Sequence, residues 1–538
     1  MKEQGGQKYR LTDGVLLRSY GDGYIYQFQL AVEVRLMEGT RAELVVQEDQ
    51  RIKKEQVEIL SQEGFDLLLR LSTHLGQTVE EAELNVPLWW IYELLLERLK
   101  SAAEQKARVD GSTELAYFFP AVAIQTNAMD ASTVDDMDHG VEPKTEHSAA
   151  EENEPLRGIL ARLVRYPSVF IWGPPGTGKT ETLSRLVVDR VMKTDETILV
   201  LSLSNSAVDE LMCRVRKRLN EQGRWKEGEI VRFGFSRLAC VQDAGDLSAY
   251  DLVFKNDPDL RDKLQELKRE FHTLLRHGGV SGDDHEALTR VKEELNELRA
   301  LIKDMERDYA RRARVVGTSL AKAVVDEAVF QRTFDLVIID EASMVSAPYV
   351  LFSAHLAARK MVICGDFKQL PPIAQSRHEP VQKWLGKDIF ALTGIAEGVE
   401  NGRWPDRLVM LREQRRMHEE ISRYVNRLFY HGLLNDHPDV KKRQSIVERD
   451  PFPDSAVMWI DVSAAGAFTH KEQGGHSRFN LLTALFSLLL IGRALNAGHR
   501  SIGFIAPYAA QAQLVQAFLR DLFPEARGSE RAVVASTV

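Results

Sequence analysis

A run of glycine, proline, threonine and lysine has the composition and spacing of a phosphate-binding loop. It consists of Gly173, Pro174, Pro175, Gly176, Thr177, Gly178, Lys179 and Thr180. Glycines allow the tight turn that directs backbone N–H groups at an anion, and the dipole of a following helix adds to the attraction. In such a loop Lys179 reaches the β- and γ-phosphates of a nucleotide, and the Thr180 hydroxyl binds Mg²⁺. The alternative, a surface turn, is disfavoured by the apolar run Val169–Trp172 before it and the helical spacing of Leu183–Met192 after it.

Two adjacent acids follow another apolar run. Leu336–Ile339 predicts a buried central strand, and Asp340 and Glu341 come directly after it. Next to a phosphate-binding loop, Asp340 is expected to hold Mg²⁺ and Glu341 to orient or deprotonate an attacking water. The alternative is a pair of acids that caps a helix.

Two further polar residues are suited to a nucleotide site. Gln369 follows the predicted strand Met361–Cys364, and its amide can bond both a γ-phosphate and a water. The stiff Pro371-Pro372 pair after it would transmit a shift of Gln369. Arg412, Arg415 and Arg416 follow the predicted strand Leu408–Leu411, which we assign to a second α/β unit, and an arginine from this segment is a candidate arginine finger.

Small polar residues end two more predicted strands. Ser204 and Asn205 follow Ile198–Leu203, and Thr318 ends the run that begins at Val315. Side chains at this end of parallel strands commonly bind ligands, so Ser204 and Asn205 are candidates for gripping phosphates. A plain helix cap by Ser204 is the alternative.

The composition predicts several globular domains. The chain has 538 residues, 44% of them hydrophobic, and a net charge of −9. Residues 127–154 contain nine acidic residues and one lysine, which accounts for −8 of that net charge. The rest of the chain is therefore close to neutral. A basic groove for nucleic acid is therefore compatible with the total. We predict that this stretch is a disordered linker, with an interaction segment for a protein partner as the alternative.

Neither a membrane span nor a disulfide framework is predicted. The longest apolar run, Leu481–Ile491, is too short to cross a bilayer, and the N-terminus lacks the apolar core of a signal peptide. Cys213, Cys240 and Cys364 are widely spaced, which suggests neither a disulfide framework nor a zinc site. We therefore expect the protein to lie in the reducing environment of the cytoplasm.

The motifs, in this order, resemble those of the superfamily 1B helicases, the group of the nonsense-mediated-decay helicase and senataxin. Gly-Pro-Pro-Gly-Thr-Gly-Lys-Thr matches at 173–180, Ser-Asn-x-Ala-Val-Asp at 204–209, Val-Val-Gly-Thr at 315–318, Asp-Glu-Ala-Ser at 340–343, Gly-Asp-x-x-Gln-Leu-Pro-Pro at 365–372, Gln-Tyr-Arg-Met-His nearly at 414–418, Ser-x-x-Asn at 477–480 and Pro-Tyr-x-x-Gln at 507–511. The resemblance covers about 155–538.

The resemblance implies an α/β fold with two tandem RecA-like P-loop domains, the second incomplete, with an N-terminal β-barrel and an inserted coiled-coil hairpin. The expected domains are a barrel at 1–80, a helical stalk at 81–126, the linker at 127–154, a first RecA-like domain at 155–395 with the hairpin at 258–314, and a second at 396–538. Hairpin and turn signals independently favour the barrel, and 4-3-4-3 leucine spacing favours the hairpin.

The implied activity is ATP-driven, 5′ to 3′ translocation of a monomeric motor on single-stranded DNA or RNA. By resemblance Lys179 and Thr180 bind phosphates and Mg²⁺, Asp340 holds the metal, Glu341 is the catalytic base, Gln369 couples the γ-phosphate to domain closure, and Arg416 is the finger. Ser204, Asn205, Thr318, Pro507 and Tyr508 are the implied nucleic-acid contacts. Whether the barrel binds nucleic acid or only packs stays open.

This chain departs from the family pattern in three places. The adenine-reading glutamine would fall near Pro155, where there is none, and the base-packing tyrosine is replaced by Arg415, which is able to stack on a base. We therefore expect weak preference for ATP over GTP. The motifs that follow Thr-Val in the family do not follow Thr537-Val538, so we expect a fragment of a longer protein. A shortened paralogue that acts as a nucleotide-gated binding protein or scaffold, and an AAA+ protein remodeller, are the alternatives.

Overall fold

The structure is a computed structural model. It describes residues 7–20, 23–30, 36, 39–48, 51–63, 66–86, 90–107, 154–277, 282–374, 376–465, 468–471, 477–523 and 532–537. Nearly all of the predicted acidic linker, 127–154, lies outside the described residues, as does 108–126. Leu88–Leu411 forms one compact unit, and Met1–Pro87 with Arg412–Val538 forms the other. Among the described helices, none has the length and apolar character needed to cross a bilayer.

The N-terminal residues form a closed six-stranded barrel, which confirms the predicted architecture. Its strands are β1 (Gln7–Tyr20), β2 (Gly23–Leu30), β3 (Arg41–Glu48), β4 (Arg51–Glu63), β5 (Asp66–Leu71) and β6 (Thr78–Val86), in the order β1-β2-β5-β4-β3-β6. Burial alternates along β5, as expected for a strand with one face in a packed interior. A Cβ on Gly14 would lie 2.4 Å from the Phe28 ring, so glycine is required where β1 bends over the core.

The barrel extends further than predicted. The sequence predicts that a helical stalk begins at residue 81, but β6 continues to Val86. It pairs with both β1 and β3 and therefore closes the barrel. The predicted helix that follows is confirmed: α1 (Trp90–Ala107) packs Tyr92 against Tyr349, with 6.4 Å between ring centroids.

The core of the unit Leu88–Leu411 is a seven-stranded parallel sheet. Its strands are β7 (Ser168–Trp172), β8 (Ile198–Ser202), β9 (Ile230–Arg232), β10 (Val315–Ser319), β11 (Phe334–Asp340), β12 (Ala357–Gly365) and β13 (Leu408–Met410), in the order β13-β7-β12-β11-β8-β10-β9. Every residue of β7, β8 and β10 is buried, because helices cover both faces. Because the strands are parallel, the phosphate-binding loop after β7, the two acids at the end of β11 and Ser204 after β8 all lie at the carboxyl-terminal edge of the sheet.

Helices of this unit lie before the first strand and between the later ones. They are α2 (Glu154–Arg165), α3 (Lys179–Lys193), α4 (Asn205–Glu221), α5 (Ala239–Gln242), α6 (Ala249–Asn256), α7 (Pro258–His277), α8 (Gly282–Arg312), α9 (Leu320–Val325), α10 (Glu327–Phe330), α11 (Ala347–His355), α12 (Glu379–Trp384), α13 (Ile389–Leu392) and α14 (Ile395–Glu400). α7 and α8 share an apolar cluster that includes Leu264, Leu267, Val291, Leu295 and Leu298. The coiled-coil geometry itself stays a prediction.

One strand belongs to a different sheet than we predicted. We assigned Leu408–Leu411 to the second α/β unit, but β13 pairs with β7 in parallel, from Leu408 opposite Phe170 to Met410 opposite Trp172. The apolar run correctly predicts a strand, but its sequence does not specify which neighbour it pairs with.

The C-terminal residues contain smaller sheets. Their strands are β14 (Glu413–Gln414), β15 (Asn435–Asp436), β16 (His470–Lys471), β17 (Arg478–Phe479), β18 (Ser501–Ala506) and β19 (Ala532–Thr537), and their helices are α15 (Glu419–Phe429), α16 (Gln444–Val447), α17 (Leu481–Asn496) and α18 (Ala509–Leu522). The sequence predicts strands at both of the last two positions, and the structure confirms them as β18 and β19, which pair in parallel. A further strand predicted at Ala456–Val462 is wrong: these described residues have no ladder partner, and Trp459 is 89% exposed.

The structure also corrects the prediction that the cysteines do not pair. Cys213 on α4 and Cys240 on α5 form a disulfide with Cα atoms 6.2 Å apart. Cys240 is exposed and Cys213 is half-buried, whereas Cys364 is free and buried. The two cysteines are 27 positions apart in the sequence, and only the fold brings them together.

Loss of this bond is expected to destabilise the unit Leu88–Leu411 by about 3 kcal/mol, because the bond closes a long loop and restricts the unfolded chain. The measurement is thermal unfolding with and without a thiol reductant. The Cys240→Ser variant should unfold at the temperature of the reduced wild type and should not respond to reductant. Equal stability of oxidised and reduced wild type would contradict the prediction.

Candidate functional site

The phosphate-binding loop has a backbone that favours glycine at three positions. Gly176 and Gly178 have φ of +78° and +82°, in the left-handed region. A Cβ on Gly173 would lie 2.2 Å from Lys179 Cγ, so the lysine stem lies directly over the loop. Gly178 is the N-cap of α3 and offers no side-chain cap, which leaves the N–H groups of the first turn for an anion.

The lysine and both acids converge at the ends of β7 and β11. Lys179 Nζ donates to the Gly173 carbonyl oxygen at 3.0 Å and lies 3.5 Å from Glu341 Oε1. Asp340 is the last residue of β11 and is 2% exposed, while Glu341 has a φ of +53°. The structure therefore brings Lys179 and Glu341 together, beside Asp340, at the same edge of the sheet.

The buried acid fits a divalent cation. Burial, followed by the nearby negative charge of Glu341, raises the pKa of Asp340 to about 7. A carboxylate in this environment gains from a cation, and Mg²⁺ is typically held by one or two carboxylates together with substrate phosphates. Thr180, the second residue of α3, supplies the hydroxyl of the donor set. These residues fit Mg²⁺ bound with a nucleotide.

Gln369 is anchored to a fully buried acid. Its Nε2 donates to Asp366 Oδ2 at 3.0 Å, and the Asp366 backbone N–H donates to Ser343 Oγ at 3.1 Å. Ser343 belongs to the same Asp-Glu-Ala-Ser segment as Asp340 and Glu341. A Cβ on Gly365 would lie 2.7 Å from the Ser343 backbone nitrogen, so glycine is needed for this approach.

The predicted nucleic-acid residues of this unit are mostly buried. Ser204 Oγ accepts from the Ala207 backbone N–H at 3.2 Å, which confirms the alternative of a helix cap. Asn205 is 5% exposed, and its Oδ1 accepts from Arg232 Nη2 at 2.8 Å. Thr318 is fully buried, and its Oγ1 has no hydrogen-bond partner among the described residues. Their contact with nucleic acid stays a prediction.

A buried ion pair beneath these residues was missed by the sequence reasoning. Arg232 and Asp209 are both fully buried, and Arg232 Nε donates to Asp209 Oδ1 at 2.6 Å. Asp209 Oδ2 also accepts the backbone N–H groups of Arg237 and Leu238. Asp209 lies in the quoted Ser-Asn-x-Ala-Val-Asp motif, but Arg232 ends a three-residue strand without any local signal. The pair ties α4 to the segment that leads into α5.

The remaining predicted residues lie in the other unit. Arg415 pairs with Glu413, with Nη2 2.6 Å from Oε1. Arg416 is exposed, and its backbone N–H donates to Gln414 Oε1 at 3.0 Å, so a buried glutamine shapes this turn. Tyr508, which follows Pro507, is the N-cap of α18 and is 44% exposed. The finger, base-stacking and nucleic-acid roles of these residues stay predictions.

Replacement of the buried arginine is expected to be costly. Arg232→Met leaves Asp209 buried without its counter-ion and should lower the free energy of unfolding by about 3–5 kcal/mol. Arg312→Met is the matched control, because its pair with Asp308 is exposed and should matter by less than about 1 kcal/mol. Denaturant unfolding of both variants is the measurement, and equal loss in the two would contradict a special role for the buried pair.

Comparison with known proteins places this site in a family. Two family models, each described as an AAA domain, match residues 151–377 and 396–538. The ATP-dependent helicase upf1 of Schizosaccharomyces pombe is 26% identical over 390 residues, which cover 69% of this chain and 37% of that protein. The DNA-binding protein SMUBP-2 of Rattus norvegicus is 25% identical over 401 residues, 72% of this chain and 38% of that protein.

An uncharacterised ATP-dependent helicase of Methanocaldococcus jannaschii is 25% identical over 403 residues, 66% of this chain and 56% of that protein. The chain thus spans between 37% and 56% of the length of these relatives. The solved structure of PRRSV helicase aligns with 77% of this chain and 50% of its own chain, at 11% identity and a TM-score of 0.24. The two AAA-domain matches and the helicase relatives show that the chain belongs to the superfamily 1 helicases.

Proposed function

We propose that the protein is an ATP hydrolase that moves 5′ to 3′ on single-stranded DNA or RNA as a helicase or translocase. The observation that carries the proposal is the convergence of Lys179 Nζ with the phosphate loop and Glu341, beside the buried Asp340. Membership of the superfamily 1 helicases supports the same activity, since two of the relatives are described as ATP-dependent helicases. The polarity rests on the motif resemblance alone.

Each residue of the site has a proposed role in ATP hydrolysis. Backbone N–H groups of the loop and Lys179 hold the phosphates, and Thr180 and Asp340 would hold Mg²⁺. When bound, the metal neutralises charge that develops on the phosphates. Glu341 orients the attacking water and accepts its proton, and Gln369 senses the terminal phosphate. Arg416 is proposed to be the arginine finger.

The other parts of the proposal concern nucleic acid and partners. Ser204, Asn205, Thr318, Pro507 and Tyr508 are proposed to contact the strand, 396–538 to be a second RecA-like domain, and α7 with α8 to be a coiled-coil insertion. The acidic linker is proposed to be solvated, with a protein partner as the alternative. In the proposed cytoplasmic location, Cys213 and Cys240 would be thiols.

Glu341→Gln is expected to abolish ATP turnover by the full-length protein while leaving ATP binding intact, because the amide no longer accepts a proton but keeps the size of the side chain. Turnover is measured with and without single-stranded DNA and RNA, and stimulation by either supports translocation. Glu327→Gln, which changes an acid on the short helix α10, is the control. ATP binding without turnover in the wild type would favour a nucleotide-gated scaffold, and stimulation by polypeptide only would favour a protein remodeller.

The base of the nucleotide should be discriminated weakly. Without a glutamine near Pro155 and with Arg415 in place of the family tyrosine, kcat/KM for ATP and GTP are expected to agree within about tenfold, since weak base contacts discriminate weakly. Competition between equal concentrations of the two nucleotides measures the ratio. A strong preference for ATP would mean that other residues read the adenine.

A further inference from the structure

Trp172 occupies a central position that the proposed roles do not explain. It is the last residue of β7, immediately before the phosphate-binding loop, and it is fully buried. Its Nε1 donates to Asp366 Oδ1 at 2.9 Å. A buried indole N–H needs an acceptor, and a buried carboxylate needs donors, so each group satisfies the other.

The same carboxylate holds Gln369. Asp366 Oδ2 accepts from Gln369 Nε2 at 3.0 Å, and Oδ1 also accepts the Lys368 backbone N–H at 3.2 Å. Trp172 and Gln369 are therefore attached to opposite oxygens of one carboxylate. Rotation of this carboxylate would break the indole hydrogen bond and move the Gln369 amide at the same time.

Packing fixes the orientation of the indole. Its ring lies 4.5 Å from the ring of Phe367 at an interplanar angle of 30°, and 6.1 Å from the ring of Trp404. Phe367 in turn packs against Phe390, with 5.6 Å between centroids. The backbone is held as well, because the Gly173 N–H donates to the Gly365 carbonyl oxygen at 3.0 Å.

We propose that Trp172 is a positioning residue that acts on Gln369 through Asp366. The inference rests on the proposed function, because Gln369 matters as a sensor only if a nucleotide is bound and hydrolysed. Trp172 is covalently bonded to the first glycine of the phosphate-binding loop. A displacement of that loop by a nucleotide is therefore passed through a rigid indole to the amide that senses the terminal phosphate.

Trp172→Phe tests the hydrogen bond while it keeps an aromatic ring in the cluster. We expect kcat for ATP to fall by about 10- to 100-fold, because a misplaced catalytic group commonly costs that much, while the affinity for a non-hydrolysable ATP analogue stays within about twofold. Combination with Gln369→Ala should lower kcat no further than Gln369→Ala alone. An additive loss in the double variant would overturn the proposal.

Trp404→Phe is the matched control. It makes the same change in the same cluster, at a residue that is 41% exposed, and it should leave kcat unchanged and combine additively with Gln369→Ala. Asp366→Asn is a second variant in case Trp172→Phe does not fold. It keeps the size of the side chain but replaces one acceptor oxygen with a donor, so it should reproduce both the loss of kcat and the non-additivity.

A spectroscopic readout separates this inference from the proposed function. In protein labelled with 5-fluorotryptophan, the resonance missing from Trp172→Phe identifies Trp172, and Gln369→Ala should shift it while the Trp404 resonance stays in place. An unchanged Trp172 resonance would overturn the proposal even in an active enzyme. Absence of ATP turnover in the wild type would refute the proposed function, and the fluorine resonance would still report whether the two side chains are linked.

Discussion

The candidate site depends on how closely the ends of three neighbouring strands approach one another. At the ends of β7 and β12, the Gly173 N–H donates to the Gly365 carbonyl oxygen at 3.0 Å. At the ends of β12 and β11, a side chain on Gly365 would meet the Ser343 backbone. Because both glycines lack a Cβ, the backbone of the phosphate loop, the acid pair and the segment that begins at Asp366 can approach one another closely. Their relative positions therefore depend on the sheet itself rather than on flexible loops.

The reliability of the sequence reasoning varied with the range of the interactions concerned. The phosphate loop and the acids after β11 carry their signals locally, as fixed spacings beside apolar runs, and the structure brings them together. Pairing is a long-range property, so the sequence did not reveal that β13 joins β7 or that Cys213 meets Cys240. The sequence did not reveal β6, because outward-facing acids interrupt its apolar pattern. It did not reveal the burial of Arg232 either, because a single charged residue on a short strand gives no sign of burial.

Two buried carboxylates, Asp209 and Asp366, organise polar networks in the unit Leu88–Leu411. Asp209 and Arg232 organise the start of α4, and Asp366 fixes the side chain of Gln369. In both places a carboxylate without solvent access collects donors from segments that are distant in sequence. Such networks tolerate little variation, because each missing donor leaves a buried carboxylate with less compensation. Apolar packing alone would hold the sheet together but would not define the directions of these side chains.

The three cysteines also divide the chain by chemical accessibility. Cys364 lies inside the sheet, where burial raises the pKa of its thiol well above the ordinary value. Electrophilic reagents should therefore not react with it. Reduction of the Cys213–Cys240 bond would then release two reactive thiols on the wild-type sequence, of which Cys240 is exposed. A fluorophore attached there would lie three residues from Arg237, whose backbone N–H contacts Asp209. Reduced Cys240 is thus a site for covalent labelling close to α4 that needs no substitution in the sequence.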